Sequence, residues 1–350
     1  MLQAAQLALD APGAPPLDAL DTAGLPGGAA AAAQKAIQGG AGLILGPLTS
    51  ADTAAVAPVA RGAGVGVLAF TSDGTQAQPG VWTLGITPAQ QVRRLVASAL
   101  TAGQTRFAAL VPDDPLGNAL ADALGQATGA LGAQPPTVQR YSGGFAQLNQ
   151  AARAVSDYAN RRGPLDAQIR AARALDNGAG RQQVADLMRQ PVPPPPFDTL
   201  LLGATGEHLQ EVISLLPYYD IAPPAVHIIG PGLWEANAAR LGALAGARYA
   251  APDPAARASF VASFSAKYGA PPPGLADLAY DAAAIARVTA AQGGFSAASL
   301  TRPDGYAGVD GVLGLLADGH VRRGLAIFEI GHGGAQIVDP APTALSASGV

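Results

Sequence analysis

Two pairs of hydroxyl residues, Thr49-Ser50 and Thr71-Ser72, each follow a short apolar run, Gly42–Gly46 and Val65–Phe70. In open parallel sheets, ligands bind at the carboxyl ends of the strands. Hydroxyls and backbone N–H groups there can hold a carboxylate, and helix N-termini behind them add positive potential. An ammonium group needs an acidic partner, and Asp73 and Glu235 are the candidates. Trp234 could wall such a site, and Tyr280 stands near the start or middle of a later helix. Thr49, Ser50, Thr71, Ser72, Asp73, Trp234, Glu235 and Tyr280 therefore form the expected ligand-binding set. Each also has a plainer reading. Ser50 and Ser72 can cap helices or close turns, Glu235 can be an exposed loop carboxylate, and Trp234 and Tyr280 can be packing residues.

Catalytic signals are weak. His208, His227, His320 and His332 are scattered without metal-ligand spacing. No nucleophile elbow, phosphate loop or dinucleotide fingerprint occurs. The chain has no cysteine, which removes thiol catalysis, disulfides and thiolate metal sites. No catalytic residue, metal or cofactor is expected, and a small hydrolase on an α/β scaffold is the minor alternative.

The elements that must position these residues follow from the apolar pattern. Gly42–Ser72 reads as strand, helix, strand, with Thr49, Ser50 or Asp52 able to cap the helix. Thr87-Pro-Ala-Gln90 is a capping-box start. Phe107–Val111, Thr137–Tyr141, Thr199–Gly203 and Ala225–Ile229 are further strand candidates. Phe145–Arg189 reads as helix with a break near Asn177-Gly178. Gly311–Ala317 and Arg322–Ile330 form a hairpin around Asp318-Gly319. This alternation predicts doubly wound α/β architecture.

At 350 residues, with 49% apolar and 13% charged residues, the chain suits two lobes with sizeable cores. The net charge is −4 and no Lys/Arg run occurs, which argues against nucleic acid as a partner. No apolar stretch approaches the ~20 residues that span a bilayer.

The order of Ala41–Ser50 (AGLILGPLTS), Val65–Ser72 (VGVLAFTS), Phe107–Gly117 (FAALVPDDPLG), Val226–Trp234 (VHIIGPGLW), Ala279–Ala284 (AYDAAA) and the closing hairpin resembles the type I periplasmic binding proteins. These include the leucine/isoleucine/valine receptors. The polar helical insertion at about 157–190, Leu216-Pro-Tyr-Tyr-Asp220 and Gly232-Leu-Trp-Glu235 resemble, more narrowly, the lipoprotein activators of penicillin-binding proteins. The resemblance implies two doubly wound lobes with a central cleft. Lobe 1 is expected at 1–103 plus about 252–304, and lobe 2 at 104–251 plus about 305–340, carrying the insertion. Crossovers are expected near Ala102–Gln104, Pro231–Pro252 and Pro303–Gly311.

Two features depart from the family. Its members usually begin with a strand before the helix that here starts at Met1, so that first strand is expected to be missing. Leu116 stands where amino-acid receptors often have an aromatic residue. The resemblance implies a non-enzymatic periplasmic protein, with any lipid anchor lying upstream. It implies either a peptidoglycan synthase as partner or, as the receptor of an ABC transporter, a small polar ligand such as an amino acid. Arg161, Arg162, Arg170, Arg173, Arg181 and Arg189 in the insertion are read either as a solvated helical face or as a docking surface for an envelope enzyme.

Overall fold

Short strands and helices alternate along the chain in the computed structural model, which describes residues 1–25 and 27–345. Helices α1 (Leu2–Ala8) and α2 (Gly28–Gln38) precede β1 (Leu43–Leu45), α3 (Ser50–Gly62), β2 (Gly66–Ala69) and β3 (Val81–Thr83). Next come α4 (Pro88–Thr101), β4 (Phe107–Pro112), α5 (Pro115–Ala130) and β5 (Thr137–Tyr141). A helical run, α6 (Phe145–Val155), α7 (Tyr158–Ala174) and α8 (Gly178–Leu187), leads to β6 (Thr199–Leu202), α9 (Gly206–Leu215), β7 (His227–Gly230) and β8 (Arg248–Ala251). The chain closes with α10 (Pro254–Tyr268), α11 (Ala276–Ala291), α12 (Ala297–Leu300), β9 (Tyr306–Gly308), β10 (Gly311–Leu315), β11 (Val321–Arg323), β12 (Ala326–Gly331) and β13 (Gly334–Asp339).

The chain divides into two compact units. The first holds Met1–Gln90, Ala251–Ala326 and the segment from Asp339; the second holds Gln91–Ala250 and Ile327–Val338.

In the first unit, β1, β2 and β3 form a parallel sheet in that order, with Ile44 opposite Val67 and Val67 opposite Val81. All four residues of β2 are buried. Successive side chains point to opposite faces, so Val67 and Ala69 meet Val56, Ala57 and Ala60 of α3. Leu68 instead joins Trp82, Leu84, and Leu278, Ala282 and Ile285 of α11.

A second, antiparallel sheet has β10 between β9 and β11. It is tied to the first by the Trp82 indole, which donates to Leu316 O at 2.7 Å, and by Gln90 Nε2, which donates to Val321 O at 2.6 Å. The expected capping box is present: Thr87 N–H donates to Gln90 Oε1 at 3.0 Å, and Gln90 N–H to Thr87 Oγ1 at 3.3 Å. The Asp-Gly hairpin also forms, but its second arm ends at Arg323. Ala326 starts β12, which belongs to the sheet of the second unit.

That second sheet has seven strands in the order β13-β12-β8-β7-β6-β4-β5, parallel from β8 to β5. The helical run is broken twice. Asp157 (φ 52°) separates α6 from α7, and Asn177 caps α8 by accepting from Gly180 N–H at 2.7 Å.

A buried charge cluster pins α11 to the small sheet of the first unit. Arg323 is 2% exposed. Its guanidinium donates to Leu84 O at 2.9 Å and to Asp281 Oδ2 at 3.5 Å, and lies 4.0 Å from Asp310. Asp281 also accepts from Val309 N–H at 2.7 Å. One turn earlier, Asp277 takes two bonds from Arg257 of α10, at 2.5 and 3.0 Å. Burial pushes the Asp310 carboxyl up to about 6, and the charges of Asp277 and Asp281 add to the shift against the pull of Arg323.

Two outcomes follow from this cluster. Arg323→Met leaves the Asp281 carboxylate buried without its cation, and is expected to cost about 3–5 kcal/mol in urea denaturation. Asp310 keeps its proton to a higher pH when folded, about 6 against an ordinary 3.8. Between those values the folded state binds more protons than the unfolded state, so this group's contribution to stability falls as pH rises. Asp310→Asn is expected to flatten that slope, changing the mutant–wild-type difference by at most ~3 kcal/mol between roughly pH 4 and pH 7. An unchanged pH profile would contradict it.

Candidate functional site

Thr49, Thr71, Ser72 and Asp73 fall in the loops at the carboxyl ends of β1 and β2, and Ser50 opens α3 directly after the first of them, as their positions after apolar runs predict. These loops bring Ser50 and Asp73 together. Thr49 is the N-cap of α3: its Oγ1 accepts from Asp52 N–H at 3.1 Å and donates to Asp52 Oδ2 at 2.8 Å. Its hydroxyl is thus engaged within the first helical turn. Ser50 Oγ donates across 23 residues to Asp73 Oδ2. Asp73 also accepts from Thr75 N–H at 3.0 Å, Thr75 Oγ1 at 2.6 Å and Gln76 Nε2 at 3.2 Å. Thr71, buried, accepts from Asp73 N–H at 3.0 Å. Ser72 is exposed.

Partial burial alone would raise the Asp73 pKa. The hydrogen bonds from Ser50, Thr75 and Gln76 outweigh it and hold the carboxyl below the ordinary carboxylate range. Asp73 is therefore an ionised organiser of its own loop, with its lone pairs largely taken by chain donors.

In the second unit, Trp234 and Glu235 lie in a 3₁₀ segment, Gly232–Arg240, directly after β7. Trp234 is 1% exposed, and its indole N–H donates to Ala204 O at 3.0 Å. It fills the unit's interior instead of forming an open wall. Gly230 makes room for it: a Cβ there would stand 2.2 Å from the indole ring. Glu235 is solvent-exposed, yet crowding by protein atoms holds its carboxyl above the ordinary value. Its charge adds to burial in pushing the Tyr249 phenol up to about 12. Gly232 N–H donates to Gln91 Oε1 at 2.7 Å, which fixes the start of this loop.

Tyr280 is half-buried in α11 of the first unit, with its ring 4.8 Å from that of Phe260. It joins an apolar cluster with Phe264 and Ala276. Its neighbour Asp281, not Tyr280, bears the polar contacts of that turn.

Sequence reasoning missed Tyr141 at the end of β5. It is 8% exposed, and its hydroxyl has no hydrogen-bond partner. Burial, with the charges of Asp114 and Glu211, pushes it up to about 12. No motif marks it; only its position at a strand's carboxyl end could have done so. Among the described residues no group of three or more His, Asp or Glu is arranged to hold a metal ion.

The sequence model of the periplasmic binding protein family matches residues 17–335. The chain belongs to that family, and its fold is the type I form. No curated protein matches it.

Similar solved structures are of two kinds. A putative branched-chain amino acid ABC transporter protein from Rhodospirillum rubrum superposes with a TM-score of 0.68 at 20% identity, over 96% of this chain and 94% of that one. The C-domain of LpoA from Haemophilus influenzae, described as a regulator of PBP1A, gives 0.63 at 16%, over 96% and 94%. Full-length LpoA is longer, and this chain spans 55% of it. A substrate-binding protein from Desulfitobacterium hafniense in complex with Leu gives 0.59 at 17%, over 96% and 95%. Family membership points to a periplasmic or extracellular location, and no helix among the described residues is long and apolar enough to cross a membrane.

Ser50→Ala removes one hydrogen bond to the Asp73 carboxylate, an interaction worth about 1.5 kcal/mol. The Asp73 pKa is expected to rise, as read by carboxyl NMR titration. Because the folded-state pKa is depressed, the stability penalty is expected to be full at neutral pH and to fade as Asp73 protonates below the usual carboxylate range. An unmoved Asp73 titration would sink this account of the loop.

Proposed function

We propose that this protein is a non-enzymatic periplasmic regulator that acts through its surface on a peptidoglycan synthase, in the manner of the penicillin-binding-protein activators. The observation that carries the reading is the α7–α8 hairpin. It has its own apolar centre of Leu165, Ile169, Ala172 and Leu187. Outside that centre it presents Arg170, Arg173, Arg181 and Arg189 to solvent, with Leu175 and Met188 among the exposed apolar residues. Arg161 has a different task. Its side chain is 6% exposed and clamps the hairpin's base, donating to Ser156 O, Pro193 O, Tyr219 O and Asp220. Arg162 pairs with Asp166 at 2.9 Å. The four outer arginines suit an anionic protein surface, where guanidinium groups bind carboxylates in two-pronged fashion. The engaged state of Thr49, Ser50, Thr71 and Asp73 also favours this reading over tight capture of a zwitterion.

The receptor reading keeps one specific support: Ser50, Thr71 and Asp73 are linked by hydrogen bonds at neighbouring strand ends. The two readings separate in one set of measurements. Reversing Arg170, Arg173, Arg181 and Arg189 to Glu is expected to weaken binding to a peptidoglycan synthase of the same organism at least tenfold, with thermal stability little changed. Unchanged binding would refute the docking role. A melting-temperature screen against the common amino acids is expected to give no shift; a rise with Leu, Ile or Val would instead favour the receptor.

A further inference from the structure

The seven-stranded sheet of the second unit has two edges, and they are built differently. One is β5, whose Arg140 reaches Asn118 Oδ1 at 2.8 Å. A charge on an edge strand discourages a further strand from pairing there. The other is β13, which among the described residues pairs with β12 alone. From Gly334 to Val338 it holds no charged residue and no proline, and Gln336, Ile337 and Val338 are exposed. Beneath it β12 is well held. Ile330 N–H donates to Ala247 O at 2.9 Å, Ile330 O accepts from Gly246 N–H at 2.8 Å, and the Phe328 ring stacks on that of Tyr249. Alternate residues of an edge strand turn their N–H and C=O groups away from the sheet, and the occupant that matches such a row is another strand.

The residues of β13 select which strand. Two copies of one strand, paired antiparallel about a two-fold axis, can only match residues of like parity, because alternate residues share an edge. The axis therefore passes beside a single residue. With the axis at Gln336, Ile337 stands opposite Ala335 of the second copy and Val338 opposite Gly334, so each branched side chain meets a small one. Gln336 meets its own counterpart, and two primary amides can exchange hydrogen bonds. Asp339 falls beyond the paired stretch, so no like charges are opposed. This pairing also closes the assembly: the joined sheet ends on two β5 strands, each guarded by Arg140.

We propose that β13 is a self-association edge, through which two copies of this chain join their second-unit sheets antiparallel across a two-fold axis at Gln336. A strand of this length runs about 20 Å. Such a seam is smaller than the interface of a tight complex, so the dimer is reversible and grows with protein concentration. The proposal goes beyond the regulator reading and does not depend on what the α7–α8 hairpin binds.

Sedimentation velocity over a concentration series is expected to show a monomer–dimer equilibrium. Ile337→Lys puts a charge on the edge and is expected to weaken the dimer at least tenfold, with the melting temperature little changed. Because the chain has no cysteine, Gln336→Cys supplies a single thiol per copy. Opposed Cβ atoms in an antiparallel pair lie about 5 Å apart, within a disulfide's reach after a small adjustment of the strands. Mild oxidation of Gln336→Cys is therefore expected to give a covalent dimer. Gln147→Cys, at an exposed position of α6, is the control and is expected to stay monomeric. A monomer at every concentration, a dimer untouched by Ile337→Lys, or equal cross-linking of the two thiols would overturn the inference. So would amide exchange at 335–338 that slows only when another protein is added, since the edge would then belong to that protein.

Discussion

A guanidinium shut away from water governs the first unit. Arg323 reaches the protein interior at the end of a short surface hairpin and must find anions there, because an unpaired buried cation is not tolerated. Asp281 and Asp310 supply them from α11 and from the β9–β10 turn. The consequence is positional. Arg323 ties the hairpin to α11 through Asp281 and to the chain just after β3 through Leu84 O. Gly308 belongs to the same constraint, since a Cβ there would stand 2.7 Å from Asp281 Oδ2. Burying two carboxylates beside one arginine costs stability at neutral pH, as the raised Asp310 pKa records. Such clusters fix geometry more reliably than they add stability.

The polar loops above the sheet obey the opposite economy. Thr49 is satisfied by Asp52, and Ser50 and Thr71 by Asp73, at a partly exposed surface where water competes for the bonds. A ligand entering there would have to replace those bonds one for one to gain affinity. The hairpin surface gives up less: its outer arginines are solvent-exposed, Arg189 standing 3.8 Å from Asp186 at the surface, and a partner carboxylate can displace water or such an exposed neighbour. This difference in what each surface must give up is the physical reason the two regions suit different kinds of recognition.

What could be read in the chain depended on range. The strands Leu43–Leu45, Gly66–Ala69, Phe107–Pro112 and Thr199–Leu202 follow contiguous apolar runs, and the caps at Thr49, Thr87 and Asp253 are set by residues within three positions. The Asp318-Gly319 turn is equally local. Val81–Thr83 and Arg248–Ala251 were not legible, because three or four residues carry no period of their own and become strands only through a neighbour's register. The break at Asp157 needs a positive φ at a non-glycine residue, which composition does not announce. Among site residues, the Ser50–Asp73 bond could be suspected from two adjacent strand ends. The burial of Trp234 against Gly230 could not, since aromatic residues near loops serve equally as walls and as core. The Arg323–Asp281 contact spans 42 positions and has no sequence signature at all.

The separate apolar centre of the α7–α8 hairpin has an evolutionary reading. Its outer-face residues lie outside the hairpin's own apolar centre, so the effects of substitutions there are expected to add to those elsewhere instead of compounding. Selection can therefore rewrite the hairpin's surface quickly, following changes in whatever it meets, while the scaffold drifts slowly under packing constraints. Related proteins should then diverge fastest in that segment, and the segment, clamped at its base by a single arginine, could be grafted between members of the family as a cassette.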